Sequence, residues 1–278
     1  MLVVIGDLVA DLIVLGGGTL ERGTDNPAEV RLTRGGSAAN VAVAAAPRHP
    51  SRFIGRVGDD TLAHALVGEL EAAGVDARVQ RAGRTGSIVV LVDAVGERTM
   101  ITDRGAAAEL DAIDPAWIAG ADWVHLPLYG FASTRSRRAV TDAAILAAAG
   151  GAVVSLDLSS VATLRDLGAA ELGLLLSELR PDVVFANEDE ARTVAELGLV
   201  PPGIYVVKRG AEPVIVTVDG GAAEVQVDKV DDVLDSTGAG DAFAAGYIVA
   251  ALNGADPRES ARAGSVLAMG ALRRPGAL

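Results

Sequence analysis

From Asp114 onward the sequence alternates short apolar runs with longer amphipathic ones, and this rhythm restricts the fold more than any other feature. After a short helix at Asp114, the spacing predicts strand 123–126, helix 135–149, strand 152–156, helix 170–179 and strand 183–186. Strands that alternate with helices pair in parallel through crossovers, so a doubly wound, mostly parallel α/β sheet sandwiched by helices is expected. Residues 2–5 and 53–57 read as further buried strands. Gly58-Asp59-Asp60 then caps a helix whose apolar face is Leu62, Leu66, Leu70 and Ala73. With 50% hydrophobic and only 3% aromatic residues, the core must be built of Ala, Val, Leu and Ile, which suits helices packed on a parallel sheet.

The chain's 278 residues fit one main domain spanning 1–278. Two stretches break the pattern: 12–34, with a glycine run and the turn-like Thr24-Asp25-Asn26-Pro27, and 86–105, with a hairpin around Val95-Gly96. Both read as short strands outside the main layers, forming a small β lid. Neither contains Phe, Tyr or Trp. Nucleobases are commonly gripped by stacking on aromatic rings, so such a lid favours a polyhydroxy ligand.

The most chemically informative run is 233–252, VLDSTGAGDAFAAGYIVAAL, in which a strand end enters a glycine-rich turn and then an apolar helix. Gly238 and Gly240 lack side chains, so the amides of Gly238, Ala239, Gly240 and Asp241 can close on an anion at a helix N-terminus. Asp241 would repel a phosphate held there. Such a carboxylate is useful if it accepts the proton of a hydroxyl that attacks phosphorus while the amides hold the charge on the transferring group. The plainer reading makes Asp235 and Asp241 turn and capping residues. Two other glycine loops fail on spacing: neither Lys208 nor Lys229 follows a G-x-x-x-x-G run, and Phe243 stands where a dinucleotide fingerprint needs a third small residue.

Composition removes several chemistries. The chain has no Cys, which excludes disulfides, thiol nucleophiles and thiolate zinc sites and fits a reducing cytoplasm. His49, His64 and His125 form no metal-ligand pair. A net charge of -13 argues against nucleic acid, and no apolar stretch is long enough for a membrane span. With so few cations, nucleotide charge would be met by backbone amides and a bound Mg²⁺.

The string from Asp235 through Thr237, Gly238, Ala239, Gly240, Asp241 and Phe243 to Gly246 resembles the signature of the ribokinase-like (PfkB) carbohydrate kinases. Gly35-Gly36-Ser37-Ala38-Ala39-Asn40 matches that family's N-terminal motif, and Asn187 to Glu190 its N-x-x-E motif. The resemblance implies an ATP-dependent kinase with Asp241 as catalytic base and residues 238–241 as anion hole. It places Asp11, Gly36 and Asn40 on the acceptor, Asn187 at the nucleotide, Glu190 at Mg²⁺ through water, and Asp235 and Thr237 at a K⁺ site. The segment from Lys208 to Gly210 would run beside the nucleotide, although Pro213 replaces a second loop glycine, and Ser265 would lie near the adenine. Lids paired into a homodimer are also implied. From position alone, Arg104 could meet a substrate carboxylate or hydroxyl, or simply face solvent, and Tyr129, past a strand end, could wall the sugar pocket. The expected activity is phosphoryl transfer to a sugar or sugar acid in the cytoplasm. A nucleoside kinase and a non-catalytic sugar or nucleotide sensor remain as alternatives.

Overall fold

The computed structural model describes residues 1–16, 20–93, 98–228, 230, 233 and 236–273. In chain order the first half comprises β1 (Leu2–Ile5), β2 (Val9–Leu15), β3 (Glu29–Gly35), α1 (Ser37–Ala45), β4 (Ser51–Val57), α2 (Thr61–Ala72), β5 (Asp76–Arg81), β6 (Thr85–Val92) and β7 (Arg98–Gly105). There follow α3 (Pro115–Ile118), β8 (Trp123–Pro127), α4 (Thr134–Ala149), β9 (Val153–Asp157), α5 (Val161–Leu179), β10 (Val183–Asn187) and α6 (Glu188–Glu196). The chain closes with β11 (Ile204–Arg209), β12 (Glu212–Val218), β13 (Gly221–Val225), α7 (Ala239–Leu252) and α8 (Pro257–Leu272).

Nine strands form one sheet in the order β13-β12-β11-β10-β9-β8-β1-β4-β5, parallel from β11 to β5, with β12 and β13 added antiparallel at one edge. Side chains alternate across a strand, so a strand covered on both faces must be apolar at every position. β1 shows the result: Leu2 and Val4 enter a core with α1 and α7, while Val3 and Ile5 enter a second core with α4 and α5. The α/β architecture expected from the rhythm is the one observed.

The lid is a separate four-stranded sheet in the order β3-β2-β6-β7. It begins earlier than expected, at Val9, which places Asp11 within β2. The apolar face of α2 is also rotated: its buried residues are Ala63, Leu66, Val67 and Leu70 rather than Leu62 and Ala73. The expected turn at Val95-Gly96 lies outside the described residues; the strands on either side pair antiparallel, Val92 with Arg98. α5 starts nine residues before the expected helix and is broken at Gly168, where φ is 67°.

The carboxyl ends of β1, β9, β10 and β11 deliver Asp7, Asp157, Asn187 and Lys208 to the edge over which the lid closes, the usual ligand side of an open α/β sheet.

Candidate active site

A cavity of about 1280 Å³ lies between the lid and the carboxyl ends of the strands. That is room for two small substrates end to end, since a single drug-sized ligand fills roughly 300–1,000 Å³. Its lining includes Asp11, Gly36, Asn40, Arg104, Tyr129, Asn187, Glu190, Lys208, Gly210, Thr237, Gly238, Ala239, Gly240, Asp241 and Ser265, so all but one of the sequence-predicted site residues share one space. Asp235 lies outside the described residues.

The centre is the start of α7. Gly238 is its N-cap in the left-handed region, φ 74° and ψ -1°, a conformation that a side chain would strain. Asp241 follows in the first turn. Ser37 Oγ donates to Asp241 Oδ1 at 2.6 Å and Asn40 Nδ2 to Oδ2 at 2.9 Å, so the N-terminal turn of α1 holds both carboxylate oxygens. Asn40 Oδ1 in turn accepts from Arg34 Nη1 at 2.7 Å. Below, Phe185 and Tyr247 meet edge to face with ring centroids 5.1 Å apart, and Phe243 stacks on Tyr247, which anchors α7 to the sheet.

One end of the cavity is built by the junction of lid and core. Gly35 leaves room for the Asp11 carboxyl, whose Oδ1 would lie 2.2 Å from any Cβ there. Gly36, with φ 101°, passes so close to the Asp7 carbonyl that a Cβ would sit 2.4 Å from it. Asp11 Oδ1 is buried and has no hydrogen-bond partner. Burial and the neighbouring Asp7 charge push Asp11 up to about 6 against the pull of Arg34. Arg104 faces inward: it pairs with Asp7 at 2.9 Å and lies 4.1 Å over the Tyr129 ring, whose hydroxyl donates to the Ser159 carbonyl at 3.0 Å.

At the opposite end, Asn187 caps α6 in a reciprocal box with Glu190. Glu190 accepts from the Asn187 amide and side chain, each at 2.8 Å, so the capping role is formed outright while both residues line the cavity. Lys208 Nζ pairs with Asp157 Oδ2 at 2.8 Å, beneath Gly240. Burial pulls the Lys208 pKa down, but Asp157 and Glu190 outweigh it and the net shift is upward. Burial, aided by Asp157, pushes Glu190 up to about 7. Burial likewise raises Asp241 to about 7, against the lowering hydrogen bonds from Ser37 and Asn40. Gly210 sits in the tight β11–β12 hairpin, and Ser265 Oγ donates back to the Ala261 carbonyl at 2.9 Å within α8. Thr237 accepts from the Arg98 guanidinium, a neighbour that a monovalent cation would have to displace.

Asp7, Arg31, Arg34, Ser37, Arg98 and Asp157 also belong to this site and were not singled out from sequence as binding residues. Asp7 and Asp157 were visible as strand-end carboxylates. Ser37 lay inside the glycine motif; the arginines gave no local signal.

The whole chain, residues 1–278, matches the model of the pfkB family carbohydrate kinases. The chain belongs to this family. It is therefore a phosphotransferase whose acceptor is an alcohol group. Among its relatives, an ATP-dependent ribose-1-phosphate kinase from Halopiger xanaduensis is 36% identical, with 84% of this chain and 79% of the relative covered. A fructokinase from Klebsiella pneumoniae is 30% identical over 88% and 82%. In fold the chain is similar to the adenosine kinase of Sinorhizobium meliloti, with TM-score 0.87 and 24% identity covering 99% of this chain and 94% of that one. It is similar also to an uncharacterized sugar kinase from Pyrococcus horikoshii solved with ATP, with TM-score 0.85, 24% identity and coverage of 100% and 94%.

Proposed function

We propose that the protein transfers the γ-phosphoryl group of ATP to a hydroxyl of a small sugar or sugar acid, with Asp241 as general base. The observation that carries this reading is the pinned carboxylate: both oxygens of Asp241 are held by Ser37 and Asn40 in the first turn of α7, beside the amides of residues 238–240. A base fixed in direction beside an anion nest suits in-line attack, in which positioning and charge stabilisation carry most of the rate.

The unpartnered, buried Asp11 Oδ1 accepts an acceptor hydroxyl and sets the reacting one against Asp241. Asp241 takes the proton as the oxygen attacks phosphorus, and the amides of Gly238 and Gly240 hold the charge on the transferring group, joined by that of Ala239 once it leaves the Ser236 carbonyl, to which it donates at 3.3 Å. A pKa near 7 leaves Asp241 able both to ionise at neutral pH and to accept a proton readily. Asn187, Lys208, Gly210 and Ser265 line the nucleotide end.

Among the described residues no group of three carboxylate or imidazole side chains could cage a metal ion. Glu190 and Asp157 nonetheless both face the cavity, two carboxylates whose mutual repulsion a cation would relieve. These residues would hold Mg²⁺ that arrives on the nucleotide phosphates, where it supplies charge neutralisation. The carbohydrate relatives and the absence of Phe, Tyr and Trp from the lid favour a sugar over a nucleoside.

The lid's outer face suits a second copy of the chain. Leu12 lies opposite Leu32 and Val89, Val14 opposite Val30 and Leu91, and Ile101 opposite Val89, one apolar sheet face on which Val30, Leu32 and Ile101 are about 60% exposed.

The direct test follows ADP release from Mg-ATP in the presence of sugars, sugar acids and nucleosides. Turnover with a carbohydrate supports the reading. Turnover with nucleosides alone replaces the acceptor class, and ligand binding with no turnover for any acceptor replaces the kinase by a sensor.

A further inference from the structure

The inner face of the lid carries a charge pattern that phosphoryl transfer to a neutral sugar does not require. Strand register sets its residues in rows. The innermost aligns Thr33, Asp11, Ile88 and Thr102; the next aligns Arg31, Ile13, Val90 and Met100; the outer one aligns Glu29, Leu15, Val92 and Arg98. At a rise of about 3.3 Å per residue, the second and third rows lie about 7 and 13 Å beyond Asp11 along the strands. Past the Asp11 row the cavity-facing side chains of these rows are Ile13, Leu15, Val90, Val92 and Met100 together with two arginines. Among the described residues of these two rows that line the cavity, none offers a sugar hydroxyl an acceptor or a neutral donor; Glu29 does not line it and pairs with Arg31. An anion meets guanidinium groups in an aliphatic surround, where charge interactions strengthen.

The two arginines are placed to act on a ligand. Arg31 pairs with Glu29 of its own strand at 2.7 Å, both side chains about half exposed, a contact of little energy that a bound anion can displace. Arg98 reaches from the lid to the Thr237 hydroxyl, next to the N-cap of α7. Arg104, by contrast, is engaged by the buried Asp7. The opposite end of the acceptor space carries Asp7, Asp11 and Asp241. The space is therefore polarised, acidic where the hydroxyl must sit and basic at the far end, in a chain whose net charge is -13.

We infer that the acceptor is a sugar already carrying a phosphoryl group at the end remote from the reacting hydroxyl, with Arg31 and Arg98 gripping that group. This rests on the kinase reading above. Phosphate fits better than carboxylate, because its three oxygens and near-double charge can engage guanidinium groups from two different strands, whereas a carboxylate fills one fork. In the reaction the bond between the γ-phosphorus and the ADP oxygen breaks, the acceptor oxygen bonds to that phosphorus, and its proton goes to Asp241. The products are ADP and a bisphosphorylated sugar.

The test measures kcat/KM with Mg-ATP for pentose and hexose phosphates, the parent sugars and the corresponding sugar acids. A phosphorylated acceptor is expected to exceed its parent by about 100-fold, the scale of one or two hydrogen bonds to a charged group. Arg31→Gln should cut that ratio about tenfold, and Arg31→Lys, which keeps the charge without the fork, should cut it less. Arg98→Gln should also lower it, but it touches Thr237 as well, so the Arg31 pair decides. Parent sugars used as well as their phosphates, or a preference for sugar acids, would overturn the inference and leave the kinase reading standing. ATP binding with no acceptor of any class turned over would overturn both.

Discussion

Asn40 joins Arg34 to Asp241: its Oδ1 accepts from Arg34 Nη1 at 2.7 Å and its Nδ2 donates to Asp241 Oδ2 at 2.9 Å. A guanidinium can only donate and an ionised carboxylate can only accept, so the two neighbours leave the Asn40 amide one orientation. Arg34 belongs to β3 of the lid and Asn40 to α1 of the core, so the direction of the Asp241 carboxylate depends on a residue of the lid.

Replacing Arg34 by Leu removes that constraint and allows the amide to turn its oxygen toward the carboxylate. Turnover should fall about 10- to 100-fold, the value of one hydrogen bond to a charged group, and Arg34→Lys should restore part of it. A steady-state comparison of the two variants checks this. Equal losses in both would mean that the fork geometry of Arg34 is what matters rather than its charge.

The pH dependence follows from the raised carboxylates. Asp241, at about 7, must be ionised to accept a proton, so kcat should climb with pH through about 7 on its acid limb. Stability runs the other way. Asp241 and Glu190, at about 7, and Asp11, at about 6, sit above the unfolded value near 4, so the folded chain holds more protons between those limits. Their contribution is complete below about pH 4 and is lost as pH rises through 6 to 7. Urea midpoints of the ligand-free protein should therefore fall from pH 5 to pH 8, with a shallower fall in Asp241→Asn.

Lys208 and Asp157 form a largely buried pair, with side chains 16% and 8% exposed. Lys208→Met leaves Asp157 without its cation beside Glu190, and a loss of about 3 kcal/mol in unfolding free energy is expected. Combining it with Asp157→Asn should recover part of that loss, because the stranded charge disappears. Denaturant titration of the single and double variants measures the coupling.

Much of this was legible in sequence because the relevant signals are local. β1 and β10 are short apolar runs buried on both faces, and the glycine, threonine and aspartate of the 235–246 motif are adjacent in the chain. What escaped was either weakly patterned or long-range. β5 reads Asp-Ala-Arg-Val-Gln-Arg because an edge strand with one open side needs little apolar content. β12 carries Pro213, which demotes a strand reading but is tolerated near the sheet edge. α8 had a readable start, the capping box of Asp256 and Glu259 with Pro257 between them, yet its apolar face is sparse. The bond from Ser37 to Asp241 spans 204 positions and that from Arg104 to Asp7 spans 97, separations that no local pattern encodes.

The apolar outer face of the lid gives an expectation about assembly. Leu32 and Ile101 are 60% and 59% exposed, and light scattering at micromolar concentration should report a dimer. Leu32→Asp puts a charge in the middle of that face and should yield a monomer of similar unfolding midpoint. A wild-type monomer would remove the lid-paired dimer.

The most direct test of the chemistry is Asp241→Asn, measured for turnover and for ATP affinity in one preparation. The substitution keeps size and the helix-start position but removes the proton acceptor, so kcat should drop roughly 10²- to 10⁴-fold. ATP affinity, read by calorimetry, should hold or rise, since a negative charge beside the phosphate nest is gone. Undiminished turnover in the Asn variant would contradict the assignment of Asp241 as the base.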